Sequence, residues 1–440
     1  MIELEVLTGP NAPRTFRLDG HVTFLLGRSR QAHLRLSDAD DAVSRLHCLL
    51  EANGPVAKLV DLGSSNGTLV NGRPVTACEL TGGETVCVGQ TELRVRVTAD
   101  PPTAAALPPV SEDLTAPTRP RWPVGPAPCP LCPTAPPELA AGPVHTLCPG
   151  CRAEVEGRPQ PYPGYSLGRE LGRGGFGAVA VGVRLADGRP VAVKSLLAAG
   201  GADTVHARMF LRELDVQCRL EHPHVVRLID RGGGSDGTLF AVMEYVPGVN
   251  AAAEVRRAGP FPLPRAVRAA DHLLAALAHA HALGLIHRDV KPGNLLLQPA
   301  PGGEVGRLAD FGLARVYQAS RVSGLTLTGE TRGTVPFMPP EQVTDFKRVT
   351  PAADQYSAAA TVYFLLTGRY VYEFAAAAPG YAAIRTLLDG TLIPLRDRRP
   401  DVPAAVAAAV ERALARRPDE RFPDVTAFRD ELLRAAGDRP

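Results

Sequence analysis

Apolar and polar residues alternate with period two in short runs over the first hundred residues. Examples are Ile2-Glu3-Leu4-Glu5-Val6, Val22-Thr23-Phe24-Leu25-Leu26, Val56-Ala57-Lys58-Leu59-Val60 and Leu93-Arg94-Val95-Arg96-Val97. Gly, Asn, Asp and Pro separate the runs at close intervals, and no helical period interrupts them, so the pattern predicts an all-β sandwich over 1–98. The pattern then stops. Of the 42 prolines in the chain, 18 fall between 101 and 163, a density that opposes helix and regular sheet. Residues 99–128 and 152–164 therefore read as linkers, the first an extended tether. From 165 onward strand-like runs return, and later helix-period segments such as 266–283 and 352–366 dominate. Strand-like runs followed by helix-period segments predict an α+β fold, mainly helical in its later part.

Composition changes little in that picture. The chain has 440 residues, 45% of them hydrophobic and 21% charged, with a formal charge of +2. These values suit several ordinary globular cores, and the charge argues for neither a nucleic-acid binder nor an acidic tail, so no nucleic-acid partner is expected. The first residues alternate like a strand instead of opening with a basic and then an apolar region. No apolar run reaches the ~18 residues of a membrane span, and the nearest candidate, 358–366, is too short. The reading is a soluble, cytoplasmic protein.

The eight cysteines divide into two groups. Cys48, Cys78, Cys87 and Cys218 sit in apolar or strand-like contexts and read as small core residues. Cys129-Pro130-Leu131-Cys132 and Cys148-Pro149-Gly150-Cys151 form two C-x-x-C pairs separated by 15 residues, the spacing of a four-thiolate zinc site over 129–151. Few apolar residues surround them, so the metal would supply most of the folding energy of that segment. Four protein ligands leave no open position, which makes the zinc structural. A disulfide pair or labile thiols are the alternatives, and His145 could replace one thiolate.

The chemistry concentrates in Ile286-His287-Arg288-Asp289-Val290-Lys291-Pro292-Gly293-Asn294 and in Ala309-Asp310-Phe311-Gly312. Two carboxylates, an amide and a lysine stand in the order that phosphoryl transfer uses: one acid to orient a hydroxyl, a second acid and an amide to hold a hard cation against phosphates. The stretch resembles the catalytic core of the eukaryotic-type Ser/Thr protein kinases, and the resemblance extends over 165–436. It implies a two-lobed kinase fold using ATP with Mg2+ or Mn2+. Asp289 would be the catalytic acid–base group and Lys291 the γ-phosphate stabiliser, in the Ser/Thr form of the loop. Asn294 and Asp310 would be the metal ligands.

Upstream, Leu171-Gly172-Arg173-Gly174-Gly175-Phe176-Gly177-Ala178-Val179 fits the loop over the ATP phosphates, since glycine lets backbone N–H groups approach them. Alone it could be a plain hairpin. Val191-Ala192-Val193-Lys194 comes next as a strand, with Lys194 on the α- and β-phosphates and Glu213 as its carboxylate partner. Met243, Glu244 and Val246 would line the adenine site at the hinge. Thr334 resembles the threonine that helps form the substrate site. Arg288 implies control by a phosphorylated loop, for which Thr326, Thr328 and Thr331 are the autophosphorylation candidates. Pro339 stands where the family has alanine, Glu341 would pair with Arg421, and Asp354 would anchor the catalytic loop.

In the N-terminal region, Gly27-Arg28-Ser29, Ser44-Arg45-Leu46-His47 and Ser65-Asn66-Gly67-Thr68 with Asn71-Gly72 together resemble the forkhead-associated domain, which binds phosphothreonine peptides. Singly they could be hairpin turns or solvated charges. By the resemblance, Arg28 and Ser44 would grip the phosphate with Arg45 and Ser65 helping. Asn66 would hold the peptide backbone, and His47 would brace the loop.

Two functions remain. One is an active Ser/Thr kinase acting on proteins, with its own phosphothreonine reader engaging other phosphoproteins or its own phosphorylated loop, in cis or in a transient homodimer. The other is a catalytically inactive kinase fold serving as a phosphothreonine-binding scaffold. Retention of Lys194, Glu213, Asp289, Asn294 and Asp310 favours the first.

Overall fold

The computed structural model describes residues 1–97, 149–196, 214, 217–311 and 334–437, apart from short stretches within these ranges. They fall into two compact units: Met1–Thr98 with Arg219–Val226 and Pro247–Pro440, and Ala99–Cys218 with Arg227–Val246.

In the first unit, residues 2–97 form eleven strands. They are β1 (Ile2–Val6), β2 (Arg14–Leu18), β3 (Val22–Gly27), β4 (Leu34–Arg35), β5 (Cys48–Asn53), β6 (Val56–Asp61), β7 (Thr68–Val70), β8 (Arg73–Val75), β9 (Ala77–Leu80), β10 (Thr85–Val88) and β11 (Thr91–Val97). One sheet has the order β2-β1-β11-β10-β7-β8 and the other β4-β3-β5-β6-β9. Ile2, Leu4, Val6, Val86, Val88, Leu93 and Val95 from the first share one core with Phe24, Leu26, Cys48, Leu50, Ala57 and Leu59 from the second. The sandwich therefore forms as the alternation predicts, with one correction. β3 and β5 carry Phe24-Leu25-Leu26 and Cys48-Leu49-Leu50, and Leu25 and Leu49 are buried on the face away from the sandwich core. A strand apolar on both sides is covered on both sides.

The second unit is a five-stranded antiparallel sheet of order β12-β13-β14-β16-β15, preceded by the helix α1 (Pro149–Glu156). Its strands are β12 (Tyr165–Gly174), β13 (Gly177–Arg184), β14 (Pro190–Leu196), β15 (Leu228–Gly233) and β16 (Leu239–Glu244). Residues 152–164, expected as linker, are partly built into it. α1 packs on β12, and Tyr162 is buried with its ring 4.5 Å from that of Phe240 and its hydroxyl donating to Ser195 Oγ at 2.7 Å. A lone tyrosine in a proline-rich stretch has no periodicity to betray its burial.

The rest of the first unit is mainly helical. β17 (Val249–Asn250), β18 (Leu295–Ala300) and β19 (Gly303–Leu308) make a small antiparallel sheet, and β18 and β19 flank the two chemically loaded stretches. The helices are α2 (Ala251–Ala258), α3 (Leu263–Ala282), α4 (Pro340–Thr344), α5 (Pro351–Thr367), α6 (Gly380–Asp389), α7 (Leu395–Arg398), α8 (Ala404–Ala413) and α9 (Val425–Ala436). α5 is buried from Ala353 to Leu366, and α3, α8 and α9 pack around it. A helix apolar on every face belongs in the centre of a core. Its ends are set by Pro351 in the first turn and by Gly368 in the left-handed conformation (φ 68°).

Four half-buried histidines stack in two pairs between residues 222–224 and α3. The rings of His224 and His272 lie 4.0 Å apart and those of His222 and His279 5.1 Å apart. His272 Nδ1 accepts from Gly306 N at 3.0 Å. Burial, and next the neighbouring His224, pushes His272 down to about 4, while burial also lowers His222 and His224. A histidine whose folded pKa lies below its unfolded 6.5 takes up its proton on unfolding. Its stability contribution is complete above pH 6.5 and is lost as pH falls toward 4. The apparent melting temperature should therefore drop between pH 6.5 and about 5. His272→Phe should melt lower throughout but with a shallower slope. An unchanged slope in that variant would assign the pH dependence elsewhere.

Candidate functional site

The catalytic stretch lies between α3 and β18 and is held from beneath by one buried carboxylate. Asp354, fully buried in α5, accepts from the backbone N–H groups of His287 (2.7 Å) and Arg288 (2.8 Å) and from His281 Nε2 (2.8 Å). Burial acts to raise its pKa. The His281 hydrogen bond, the charges of His281 and His287 and the backbone N–H outweigh it, so the carboxyl lies below its ordinary value. Arg288 (φ 66°) and Asp310 (φ 63°) both adopt the left-handed conformation, which costs a non-glycine residue about 1 kcal/mol or more. At Arg288 the bond to Asp354 helps hold that conformation.

His287 is buried and its ring packs 4.5 Å from Phe311. Its Nδ1 accepts from Asp289 N (3.2 Å), so Nε2 carries the hydrogen and donates to Ala309 O (2.9 Å). One imidazole thus ties the stretch bearing Asp289 to the stretch bearing Asp310. Asn294 N–H2 donates to Asp289 O (2.8 Å) and Oδ2 (3.1 Å). Lys291 Nζ lies 3.0 and 2.9 Å from the two Asp289 carboxylate oxygens and donates to Thr334 Oγ1 at 2.9 Å. Asp289, Lys291, Asn294 and Thr334 therefore form one connected group. Aiming its amide N–H2 at Asp289 leaves Asn294 a carbonyl oxygen to offer a hard cation, as the kinase resemblance requires.

Glu341 and Arg421 form a two-pronged pair (2.6 and 2.9 Å), with the Arg421 side chain fully buried. Arg421 also donates to Ala415 O and Ala352 O, both at 2.8 Å. Gln342 Nε2 donates to Arg288 O at 2.7 Å. The sequence motif flags neither Gln342 nor His281, because their partners lie 54 and 73 residues away.

In the second unit, Lys194 is buried in β14, opposite Val179 on β13 and Ala241 on β16. Gly172 faces Val179 and Gly174 faces Gly177, so the glycine-rich stretch is the hairpin between β12 and β13, and Leu171 is exposed. Ala192 pairs with Met243 and Val191 with Glu244; Met243 and Val246 are buried. The Glu244 carboxylate accepts from Arg227 N at 2.8 Å. Gly175, Phe176, Glu213, Cys129, Cys132, Cys148, Thr326, Thr328 and Thr331 lie outside the described residues, as does the side chain of Cys151, whose backbone is in α1. Among the described residues no group of three or more His, Cys, Asp or Glu is arranged to hold a metal.

On the sandwich, the loop candidates converge. Ser44 Oγ accepts from Ser65 N (3.0 Å) and lies 3.4 Å from Ser65 Oγ. Arg28 N–H donates to Ser44 O (3.2 Å), Arg28 Nε donates to Val43 O (2.5 Å) and Asn66 Nδ2 donates to Ala42 O (3.1 Å). Gly27 permits this approach, because a Cβ there would collide with the Arg45 carbonyl. His47 is buried. Its Nδ1 accepts from Ser44 N and its Nε2 donates to Gly67 O, both at 3.1 Å, so it braces two loops. Burial lowers its pKa. Arg45 reaches away from the loops, to Asp389 in α6.

A buried-carboxylate anchor beneath a linked Asp–Lys–Asn group, tied by histidine to the backbone just before a second aspartate, is the arrangement of a phosphotransferase of the protein-kinase type. Residues 165–429 match the family model described as "Protein kinase domain", more than half of the chain, and the chain belongs to that family. The two units then correspond to its two lobes, the first also carrying the N-terminal sandwich. Residues 5–99 match a model described as "Inner membrane component of T3SS, cytoplasmic domain". Among curated proteins, the serine/threonine-protein kinase PknK of Mycobacterium tuberculosis is 39% identical over 260 residues, covering 59% of this chain and 22% of that protein. The serine/threonine-protein kinase PknJ of the same organism is 35% identical over 268 residues, covering 61% and 44%. The kinase domain is thus of the serine/threonine class, and the chain spans about a fifth and less than half of these relatives' lengths. The crystal structure of the M. tuberculosis PknI kinase domain aligns with a TM-score of 0.48 at 30% identity, covering 62% of this chain and 97% of that one. No described helix is long and apolar enough to cross a membrane.

Removing the anchor should be costly. Asp354→Ala leaves two backbone N–H groups and His281 without their shared acceptor, and should destabilise the protein by about 3–5 kcal/mol. Thermal unfolding of the full chain checks this, and a melting temperature lowered by less than about one degree would contradict it.

Proposed function

We propose that this chain is an active ATP-dependent protein serine/threonine kinase that also reads phosphothreonine. The first part rests on the Asp289–Lys291–Thr334 contact. It puts a carboxylate, an ammonium and a threonine hydroxyl within hydrogen-bond reach of one another. In the reaction, Asp289 orients a substrate Ser or Thr hydroxyl and takes its proton. The hydroxyl oxygen forms the new bond to the γ-phosphorus as the bond to the β-phosphate oxygen breaks, leaving phosphoprotein and ADP. Lys291 offsets the charge carried by the transferred group. Lys194, with Glu213 as partner, would contact the α- and β-phosphates. The glycine-rich hairpin would cover the phosphates, and Ala192, Met243, Glu244 and Val246 would line the adenine. Asn294 and Asp310 would hold Mg2+ or Mn2+, which would neutralise the phosphates. Thr326, Thr328 and Thr331 are the candidate autophosphorylation sites.

Arg28, Ser44, Arg45, Ser65 and Asn66 would bind a phosphothreonine peptide from another protein or from the chain's own loop. This forkhead-associated reading draws support from the two-sheet architecture and from the convergence of those loops. Cys129, Cys132, Cys148 and Cys151 would hold one structural zinc. A cytoplasmic location suits the thiols of Cys48, Cys78, Cys87 and Cys218, which are all free.

Incubation with Mg2+-ATP and a generic basic protein tests the catalytic reading. Asp289→Asn should cut phosphate transfer by roughly 10²–10⁴-fold, and equal incorporation by wild type and variant would make the activity a contaminant's. Arg28→Ala should lose phosphothreonine-peptide binding and keep phosphate transfer to that generic substrate. Metal analysis should find about one zinc per chain. Less than half an equivalent, with all four thiols titrating freely, refutes the zinc site.

A further inference from the structure

The sandwich presents its second apolar face, and one of its phosphate-loop arginines, to the kinase large lobe. Leu25 and Leu49 on the outer face of β3 and β5, with Leu46 and Leu62 beside them, are buried in one apolar cluster with the helices of that lobe. Two polar contacts flank the patch. Arg45 Nη2 lies 2.6 Å from Asp389 Oδ2, and Arg385 Nη1 donates to Gly63 O at 3.0 Å. Arg385 and Asp389 are four residues apart on α6 and so share a face. On the sandwich side, Arg45 is the residue directly after Ser44, and Gly63 lies two residues before Ser65. The contacts therefore border the loops assigned to phosphate.

We propose that the sandwich docks in cis on α6 of the large lobe, with the Asp389 carboxylate standing in as an internal anion for Arg45. A phosphothreonine segment and the large lobe then compete for the same guanidinium. The proposal rests on the phosphothreonine-binding reading above and adds the partner that this surface engages when no ligand is present. The chemistry favours the phosphorylated ligand in this exchange. Asp389 offers Arg45 a single negative charge, and the Arg45 side chain in the pair remains 69% exposed, which makes it a weak ion pair. A phosphothreonine brings nearly two charges and three acceptor oxygens to the same arginine. The apolar patch supplies the area that keeps the domain docked, and the ion pair supplies the element that a ligand can displace.

The test uses the full chain and two synthetic peptides spanning residues 321–333, one with phosphothreonine at 328 and one unphosphorylated. Asp389→Arg should bind the phosphopeptide roughly two- to fivefold more tightly than wild type, the range expected for loss of one exposed pair. Arg385→Ala should shift affinity the same way. Hydrogen exchange over residues 45–50 and 59–63 should rise in Asp389→Arg, and in wild type on adding the phosphopeptide but not its unphosphorylated twin. The double variant Arg45→Asp/Asp389→Arg should return exchange to the wild-type level while losing phosphopeptide binding. Equal phosphopeptide affinity and equal exchange in wild type and Asp389→Arg would overturn the docking contact alone. Failure of every form, Asp389→Arg included, to bind the phosphopeptide would overturn the phosphothreonine reading and the competition with it.

Discussion

The catalytic region depends on a single carboxylate placed where carboxylates are seldom found. Asp354 sits on a helix buried along almost its whole length, and the cost of burying its charge is met by three donors. Two of these are backbone N–H groups of the segment that carries Asp289, so the carboxylate's need for partners determines where that segment runs. Arg288 can hold its left-handed backbone because it is fastened to the centre of the core. His287 then passes the constraint on, linking Asp289 N to the Ala309 carbonyl and so positioning one aspartate relative to the other.

A second set of buried polar groups supports the segment from Thr334 to Thr344. Arg421 is fully buried yet satisfied by Glu341 and several backbone carbonyls. The adjacent Gln342 holds the Arg288 carbonyl from the other side. α4, which carries both Glu341 and Gln342, also packs against β3 of the N-terminal sandwich. The same short helix thus touches the catalytic segment and the sandwich for which we propose phosphothreonine binding. That gives the docking on α6 a mechanical neighbour on the catalytic side.

Local motifs were legible in the sequence because their members are close in the chain. The Asp289–Lys291–Asn294 spacing, the glycine pattern before Val179 and the alternation of β1 and β11 each fall within one short stretch. Alternation also placed the sandwich core correctly on Ile2, Leu4, Leu93 and Val95. It misjudged β3, where the consecutive Phe24-Leu25-Leu26 is buried on two faces and the sequence cannot name the second neighbour. The burial of Tyr162 was hidden for a related reason, since a single side chain carries no period.

Side-chain type and spacing along one element settle the chemistry and its order: the carboxylates, the lysines, the strands that alternate and the helix too apolar to face water. All of these are properties of neighbouring residues, so the linear chain already contains them. Packing alone selects which distant groups meet. It brought His281 and Asp354 together across 73 residues, Arg421 and Glu341 across 80, and Arg45 and Asp389 across 344. A charge shows in its residue type that it needs a partner, but many partners would satisfy it equally. Only the burial of the apolar faces, which brings particular helices and strands into contact, singles one out.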